Sequence, residues 1–211
     1  MDSDFRMAQN FDKQSNPYDR LMTSALDLFY QRGYSGTSTN QLIADSGTHK
    51  ASFYRYFQSK EEIALEYLKL QGENFENGLQ RMMERSASWE EFIHTWNSLL
   101  LKQVKSGKFI GCPIARFLNS VEERNEEFEL VAERILHNWI QVFESYFESE
   151  KKKGHLDSAL NSLSAAKKIL KLFQGSSQLF RITGKHEYFQ ELKTEMVEVL
   201  GGKKSKVAPS S

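Results

Sequence analysis

The spacing of apolar residues is the feature that most limits how this chain can fold. From Pro17 onward, apolar residues recur at steps of three and four, which is the period of one face of an α-helix. Nowhere does the alternation of apolar and polar residues typical of a strand compete with this pattern. Only 3 prolines and 12 glycines occur among the 211 residues, which favours long helices. The sequence therefore predicts an all-α protein.

Capping residues and glycines divide the chain into nine predicted helices. Two capping boxes, Ser38 with Gln41 and Ser59 with Glu62, indicate where the second and fourth helices begin. Gly33 is placed to end the first helix. The predicted helices lie at residues 17–33, 38–46, 48–56, 59–82, 89–104, 112–119, 126–152, 158–183 and 186–200.

Composition narrows the class of protein. Lys and Arg together number 28, as do Asp and Glu, and 39% of the residues are hydrophobic, which excludes a wholly disordered chain. No run of 18 apolar residues is present, so no membrane-spanning segment and no membrane partner are expected. Residues 1–15 lack the apolar core of a secretory signal. We therefore expect a cytoplasmic protein whose one cysteine, Cys112, has no disulfide partner within the chain.

The second and third predicted helices have the spacing of a helix-turn-helix, with Gly47 in the turn. Lys50, Arg55 and Lys60 follow that glycine together with His49, and no acidic residue lies among them. Positive charge and hydroxyl or amide groups are what DNA phosphates bind, and Lys60 at a helix start is predicted to anchor one phosphate. The predicted DNA-binding residues are Thr37, Ser38, Thr39, Asn40, Thr48, His49, Lys50, Ala51, Ser52, Tyr54, Arg55, Tyr56 and Lys60.

The segment GYSGTSTNQLIADSGTHKASFYRYFQSKEEI, residues 33–63, resembles the DNA-binding segment of the TetR-type transcriptional regulators. The resemblance covers about residues 17–65 in detail, and the later helices are similar to the family's in number, length and order. It implies DNA contacts by Tyr54, by Lys60 and by the start of the second helix. Tyr56 replaces the usual histidine, and Thr48 stands where an aliphatic residue is common. The alternative is that the aromatic residues here are only core and the basic residues only a solvated surface.

The domain organisation expected from these patterns has four parts: residues 1–15 disordered, 16–63 DNA-binding, 64–200 ligand-binding and dimerisation, and 201–211 a disordered tail.

The last two helices carry apolar stripes that predict a four-helix dimer interface, and a twofold dimer would read a palindromic operator in double-stranded DNA. The alternative is that both stripes are buried inside one chain. The predicted interface residues are Leu163, Leu170, Phe173, Ser177, Phe180, Phe189, Leu192 and Met196.

Two features of the middle helices suggest a signal site. The resemblance implies an apolar effector cavity, for which the candidate lining residues are Phe92, Trp96, Phe109, Trp139 and Phe143. Core packing is the competing explanation for these aromatic residues.

Cys112 is the second candidate, because it precedes Pro113 at a predicted helix start and Arg116 lies four residues on. Both features favour a thiolate that reacts with electrophiles or oxidants. The stretch IGCPIARFL is similar to a segment of TetR-type regulators that respond to reactive electrophiles, and on motif placement Arg181 is a second cationic partner. The alternative is an inert core cysteine.

Motifs for catalysis are lacking: we find no Gly-rich phosphate loop, no H-E-x-x-H and no nucleophile elbow. No cofactor and no metal site are predicted, since only Glu133 and His137 have helical ligand spacing. The sequence predicts a cytoplasmic, homodimeric repressor, not an enzyme, that a small molecule or a thiol-reactive signal releases from its operator. The alternatives are a thiol-dependent helical enzyme using Cys112 and an architectural DNA binder without a signal.

Overall fold

The computed structural model describes residues 16–201, and within that range the chain forms nine α-helices and no strand. The all-α prediction is confirmed. The predicted disordered segments, residues 1–15 and the tail from residue 202, lie outside the described residues. The helices are α1 Pro17–Arg32, α2 Thr39–Asp45, α3 Lys50–Tyr56, α4 Lys60–Arg85, α5 Trp89–Lys105, α6 Pro113–Leu118, α7 Glu126–Lys152, α8 Ser162–Thr183 and α9 Glu187–Val199.

The described residues form two compact units, and each unit is built from two separate stretches of chain. The first contains residues 16–78 and Pro113–Leu136, and the second contains Leu79–Cys112 and residues 137–201. The boundary expected at residue 63 therefore falls inside the first unit. Helix α6 belongs to the N-terminal unit although it follows α3 by more than fifty residues.

Aromatic packing explains why α6 belongs to the first unit. Phe117 of α6 lies 5.7 Å from Phe29 of α1 and 5.4 Å from Tyr67 of α4, measured between ring centroids. All three side chains are fully buried. Aromatic pairs at these separations add about 0.5–1.5 kcal/mol to the gain from burial. The core of the first unit is therefore completed by a helix that is distant in the sequence.

The second unit has an aromatic core of its own. Trp96 of α5 lies 5.5 Å from both Phe143 of α7 and Phe173 of α8, and it stacks on Phe92 at 5.9 Å. Each of these side chains is at most 2% exposed. Helix α5 also packs against α9, which packs against α8. The second unit is therefore a bundle whose interior is filled by large rings.

Helix α8 begins at Ser162, four residues later than the sequence predicted. The carboxylate of Asp157 accepts a hydrogen bond from the N–H of Ala159 at 2.8 Å, which closes a turn before the helix. The side chain of Asn161 then accepts from the N–H of Ser164 at 2.8 Å and caps α8. Asp157 and Asn161 are both suitable N-cap residues, and the helix begins after the later of the two.

Gly72 provides a test of the packing in the first unit. A Cβ atom at this position of α4 would lie 2.8–3.0 Å from three side-chain carbons of Ile135 on α7. We expect Gly72→Val to lower the free energy of unfolding by about 1–3 kcal/mol, because the interior has no room for the added carbons. Urea unfolding of the variant measures this loss. Ile135→Ala added to Gly72→Val should recover part of the loss, whereas unchanged stability of the single variant would contradict the close approach.

Candidate nucleic-acid interface

Helices α2 and α3 form the helix-turn-helix predicted from the sequence. Each has seven residues, and each buries one large side chain completely, Leu42 from α2 and Phe53 from α3. Between them Gly47 has a φ of +58°, a left-handed conformation that glycine adopts without steric cost. The N–H of Thr48 donates to the carbonyl of Ile43 at 3.2 Å and closes the turn. Both helices pack on α1.

The start of α2 has the geometry of the predicted capping box. The N–H of Gln41 donates to the hydroxyl of Ser38 at 3.2 Å, and the N–H of Ser38 donates to the side-chain oxygen of Gln41 at 2.7 Å. This reciprocal pair stabilises the first turn of a helix that is too short to be stable by itself. The hydroxyl of Ser38 thus has a structural partner at the site where a phosphate contact was predicted.

Two of the predicted DNA-binding side chains are directed into the protein. Thr37 is 1% exposed, and its hydroxyl donates to the carbonyl of Gly33 at 2.9 Å. Thr48 is 8% exposed, and its hydroxyl lies 2.8 Å from that of Ser46. Sequence reasoning expected both hydroxyls at the surface, because residue type alone does not show which side of a turn faces the core. Their side chains position the turns on either side of α2.

The remaining surface of α3 is exposed, and its charged side chains are basic. His49, Lys50, Ala51 and Arg55 are exposed, and Ser52 is half-buried. Tyr54 is 50% exposed, which is unusual for so large an apolar ring, and the Lys50 ammonium lies 5.9 Å from its centroid. An exposed aromatic ring beside several exposed hydrogen-bond donors is typical of a binding surface.

Tyr56 at the end of α3 is held against α1. Its ring lies 5.8 Å from that of Tyr18, and its hydroxyl accepts a hydrogen bond from the guanidinium of Arg55 at 2.9 Å. The guanidinium also lies 4.8 Å from the Tyr56 ring. The contact with Tyr18 anchors Tyr56, and Tyr56 in turn orients Arg55 on the exposed surface.

The ammonium of Lys60 is bound by the protein itself. It donates to the carbonyl of Tyr34 at 3.1 Å and lies 3.9 Å above the ring of the same residue. Burial lowers the pKa of Lys60, and the carboxylate of Glu122 opposes that shift. The sequence predicted an outward phosphate anchor, whereas here the side chain joins α4 to the turn after α1.

In the second unit, Cys112 is buried and its sulfur has an amide neighbour. The residue is 2% exposed, and the side-chain N–H of Gln174 on α8 donates to its sulfur at 3.3 Å. Arg116 was predicted to favour the thiolate, but its guanidinium donates to the carbonyls of Tyr30 and Gln31 at 2.9 Å each. Arg181, the other predicted cationic partner, is exposed on α8.

Four of the five aromatic residues predicted to line an effector cavity, Phe92, Trp96, Phe109 and Phe143, pack against other rings. Phe92, Trp96, Trp139 and Phe143 are fully buried, and Phe109 lies 5.2 Å from Phe189 of α9. Sequence reasoning did not identify Tyr146, whose ring lies 5.2 Å from that of Phe92. The buried Tyr146 hydroxyl has no hydrogen-bond partner among residues 16–201. Burial, assisted by the Glu150 carboxylate, raises its pKa, so it stays neutral.

Most of the residues predicted for a dimer interface are core residues of a single chain. Leu163 is 40% exposed and Phe180 is half-buried. The other six are at most 6% exposed: Leu170, Phe173, Ser177, Phe189, Leu192 and Met196. The reason is that α8 presents its larger side chains to α5 and α9, so the stripe with the strongest apolar character faces inward.

A different face of α8 and α9 is open. A groove of about 370 Å³ lies between the two helices. Its α8 side carries Lys168, Lys171, Gly175, Ser176 and Leu179, and its α9 side carries Glu191 and Glu195. Leu179 is 43% exposed, and Ile182, one turn further along α8, is 70% exposed.

Within the described part of the chain, no three His, Cys, Asp or Glu side chains are grouped as a metal site would require. No helix within residues 16–201 combines the length and the apolar character needed to span a bilayer.

Comparison with known proteins agrees with this architecture. Residues 21–67 match the family model described as bacterial regulatory proteins of the tetR family. An uncharacterized HTH-type transcriptional regulator in the lacX 3' region of Lactococcus lactis subsp. lactis is 27% identical over 179 residues, covering 80% of this chain and 85% of the relative. The uncharacterized HTH-type regulator YxaF of Bacillus subtilis is 27% identical over 152 residues, covering 69% and 79%.

Among solved structures, the reduced form of NemR from Escherichia coli superposes with a TM-score of 0.78 at 19% identity, covering 88% of this chain and 97% of that one. This likeness concerns the fold. The relatives are transcriptional regulators rather than enzymes, so the alternative of a thiol-dependent enzyme is not supported. The helix-turn-helix, the matched segment and these relatives together identify the chain as a DNA-binding transcriptional regulator whose residues 21–67 are of the TetR type.

Proposed function

We propose that this chain is a cytoplasmic, homodimeric repressor that binds a palindromic operator and leaves it when a small molecule or a thiol-reactive signal acts on the second unit. The observation that carries the DNA part of this proposal is the exposed surface of α3, where Tyr54 and Lys50 stand beside further donors without an acidic residue. NemR of Escherichia coli, a relative of this chain, is named a transcriptional repressor.

The proposed DNA contacts divide by chemistry. Thr39, Asn40, Arg55 and Lys60 bind phosphates, with Lys60 turning outward from Tyr34 when DNA is present. His49, Lys50, Ala51, Ser52 and Tyr54 face the floor of the major groove, because the N-terminal half of a recognition helix is the part that reaches base edges. Phosphate contacts set the register, and the α3 side chains select the sequence.

The open groove of α8 and α9 is the proposed dimer interface. Exposed Leu179 and Ile182 supply apolar area, and the small residues Gly175 and Ser176 let a second copy approach closely. The lysines on one side of the groove and the glutamates on the other allow opposite charges to meet across a twofold axis. Such a dimer presents two copies of α3 to two half-sites.

Two signals are proposed for the second unit. Cys112 reacts with an electrophile or oxidant, and the Gln174 amide beside its sulfur stabilises the thiolate as a hydrogen-bond donor. A noncovalent effector instead places its polar end at the Tyr146 hydroxyl and its apolar part among the aromatic rings of the bundle. Either signal releases DNA only if it favours the form that binds DNA less well.

The first test concerns DNA. Lys50→Met should weaken binding to the DNA flanking the chain's own gene by roughly fivefold to a hundredfold, because one direct contact is removed. It should leave the slope of log affinity against log salt nearly unchanged, because Lys50 is assigned to base edges and not to a phosphate. Fluorescence anisotropy against scrambled DNA of equal length measures both quantities. Lys69→Met is the matched control, since Lys69 is an exposed lysine of α4 paired with Glu66. Equal effects of the two substitutions would contradict the assignment.

The second test concerns the dimer. Leu179→Arg should convert the dimer into a monomer, because a charge would be buried in the apolar part of the interface. Light scattering after size exclusion distinguishes a mass of 24.5 kDa from twice that value. Leu130→Arg serves as control, since Leu130 of α7 is 56% exposed and lies outside the groove. A dimer that survives Leu179→Arg, or a monomeric wild type, would reject this interface.

The third test concerns Cys112, the one cysteine in the sequence. Alkylation should lower operator affinity at least tenfold, because a group added to a sulfur that is 2% exposed must displace its neighbours. Anisotropy before and after treatment with N-ethylmaleimide measures the loss, and mass spectrometry counts the added groups. Cys112→Ser should bind the operator as the wild type does and ignore the reagent. Full affinity of the alkylated protein would leave the noncovalent effector as the signal.

A further inference from the structure

Two side chains near α6 bind the backbone at the end of α1. The guanidinium of Arg116 donates through Nε to the carbonyl of Tyr30 and through Nη2 to that of Gln31, both at 2.9 Å. Ser120, two residues beyond α6, accepts the N–H of Tyr34 on its hydroxyl at 2.6 Å. These contacts join residues 85 or 86 positions apart in the chain.

The position of Arg116 suits the chemistry of a helix end. The last carbonyls of a helix have no partner within it and carry the negative end of its dipole. A guanidinium is planar and always charged, so it can satisfy two neighbouring carbonyls at once. Arg116 therefore caps α1 from outside, next to the residue Gly33 where the helix stops.

Ser120 holds the turn that follows. Its hydroxyl donates to the carbonyl of Phe117 at 2.6 Å, which leaves an oxygen lone pair for the N–H of Tyr34. The N–H of Ser35 donates to the carbonyl of Ser120 at 3.3 Å. Gly33 has a φ of +75°, and a Cβ atom there would overlap Ser120. The turn and the residues after α6 are therefore in the closest contact that the backbone allows.

The turn leads directly into the nucleic-acid interface. The N–H of Thr37 donates to the carbonyl of Tyr34 at 3.2 Å, and the Thr37 hydroxyl donates to the carbonyl of Gly33 at 2.9 Å. Ser38, the next residue, is the N-cap of α2. Each backbone group held by Arg116 or Ser120 thus lies within eight residues of Ser38, the N-cap of α2.

We propose that Arg116 and Ser120 are positioning residues for DNA binding: they fix the end of α1 and the turn after it, and so set where α2 begins, without touching DNA. This inference rests on the proposed DNA contacts of α2 and α3. It gives Arg116 a role at the interface rather than at the thiol of Cys112.

Arg116→Met and Ser120→Ala test the proposal, with Arg134→Met as the matched control. Arg134 is an exposed arginine of α7 in the same unit, so its replacement removes the same charge without removing the cap of α1. Hydrogen exchange of amides 33–42 is measured in the free protein, and circular dichroism confirms that each variant is folded. Anisotropy over a salt series then gives affinity for the flanking DNA and the salt slope.

We expect Arg116→Met and Ser120→Ala to exchange faster at residues 33–42 and to bind DNA roughly tenfold more weakly, since each loses hydrogen bonds that hold the turn. The salt slope should stay unchanged, because no phosphate contact is lost. Arg134→Met should match the wild type in both measurements.

Three results would overturn the proposal. Unchanged exchange in both variants would show that the turn is held without these side chains. If the wild type selects its operator and both variants bind it with the same affinity, Arg116 and Ser120 have no role in DNA binding, and the proposed function is unaffected. A salt slope lowered by about one in Arg116→Met would make Arg116 a direct phosphate contact. If the wild type does not select the flanking DNA, the proposed operator is wrong. Hydrogen exchange of amides 33–42 then still shows whether Arg116 and Ser120 hold the turn after α1.

Discussion

The burial of Leu42 and Phe53 against α1 is the interaction on which the nucleic-acid interface depends. Helices α2 and α3 have seven residues each, and isolated helices shorter than about 12 residues are marginal in water. Burying one large apolar side chain contributes about 1.5–3 kcal/mol. The capping box at Ser38 and the turn at Gly47 add to this stability. The exposed side of α3 is thereby presented on a rigid support.

Helix α1 depends in turn on a later part of the chain. Phe117 packs on Phe29, and Arg116 satisfies carbonyls at the end of the helix. A segment that ends at residue 63 would lack both contacts, although it contains the whole helix-turn-helix. The first unit is therefore complete only when residues 113–136 return to it.

Local signals predicted much of this architecture. The nine helices and two capping boxes were expected from periodicity and residue type. The box of Ser38 and Gln41 has both of its hydrogen bonds. At the second box the N–H of Glu62 donates to the hydroxyl of Ser59, but the Glu62 carboxylate accepts from the N–H of Gln58 instead of that of Ser59. The sequence-based predictions were wrong where two local signals were equally good. At α8, Asp157 and Asn161 are both good caps, and two apolar stripes run along the helix. Sequence assigned the stripe of Phe173 to a dimer, but the structure buries it inside the chain.

By itself, the sequence determined the helices, the turn between α2 and α3, and the concentration of basic residues after Gly47, because caps, glycines and apolar spacing act over a few residues. The tertiary structure alone decided that Thr37 faces inward, that Lys60 binds Tyr34 and that Arg116 caps α1. These outcomes depend on which surfaces meet across tens of residues. A helical period shows that a side chain shares a face with its neighbours, but the partner that packs on that face comes from elsewhere in the chain.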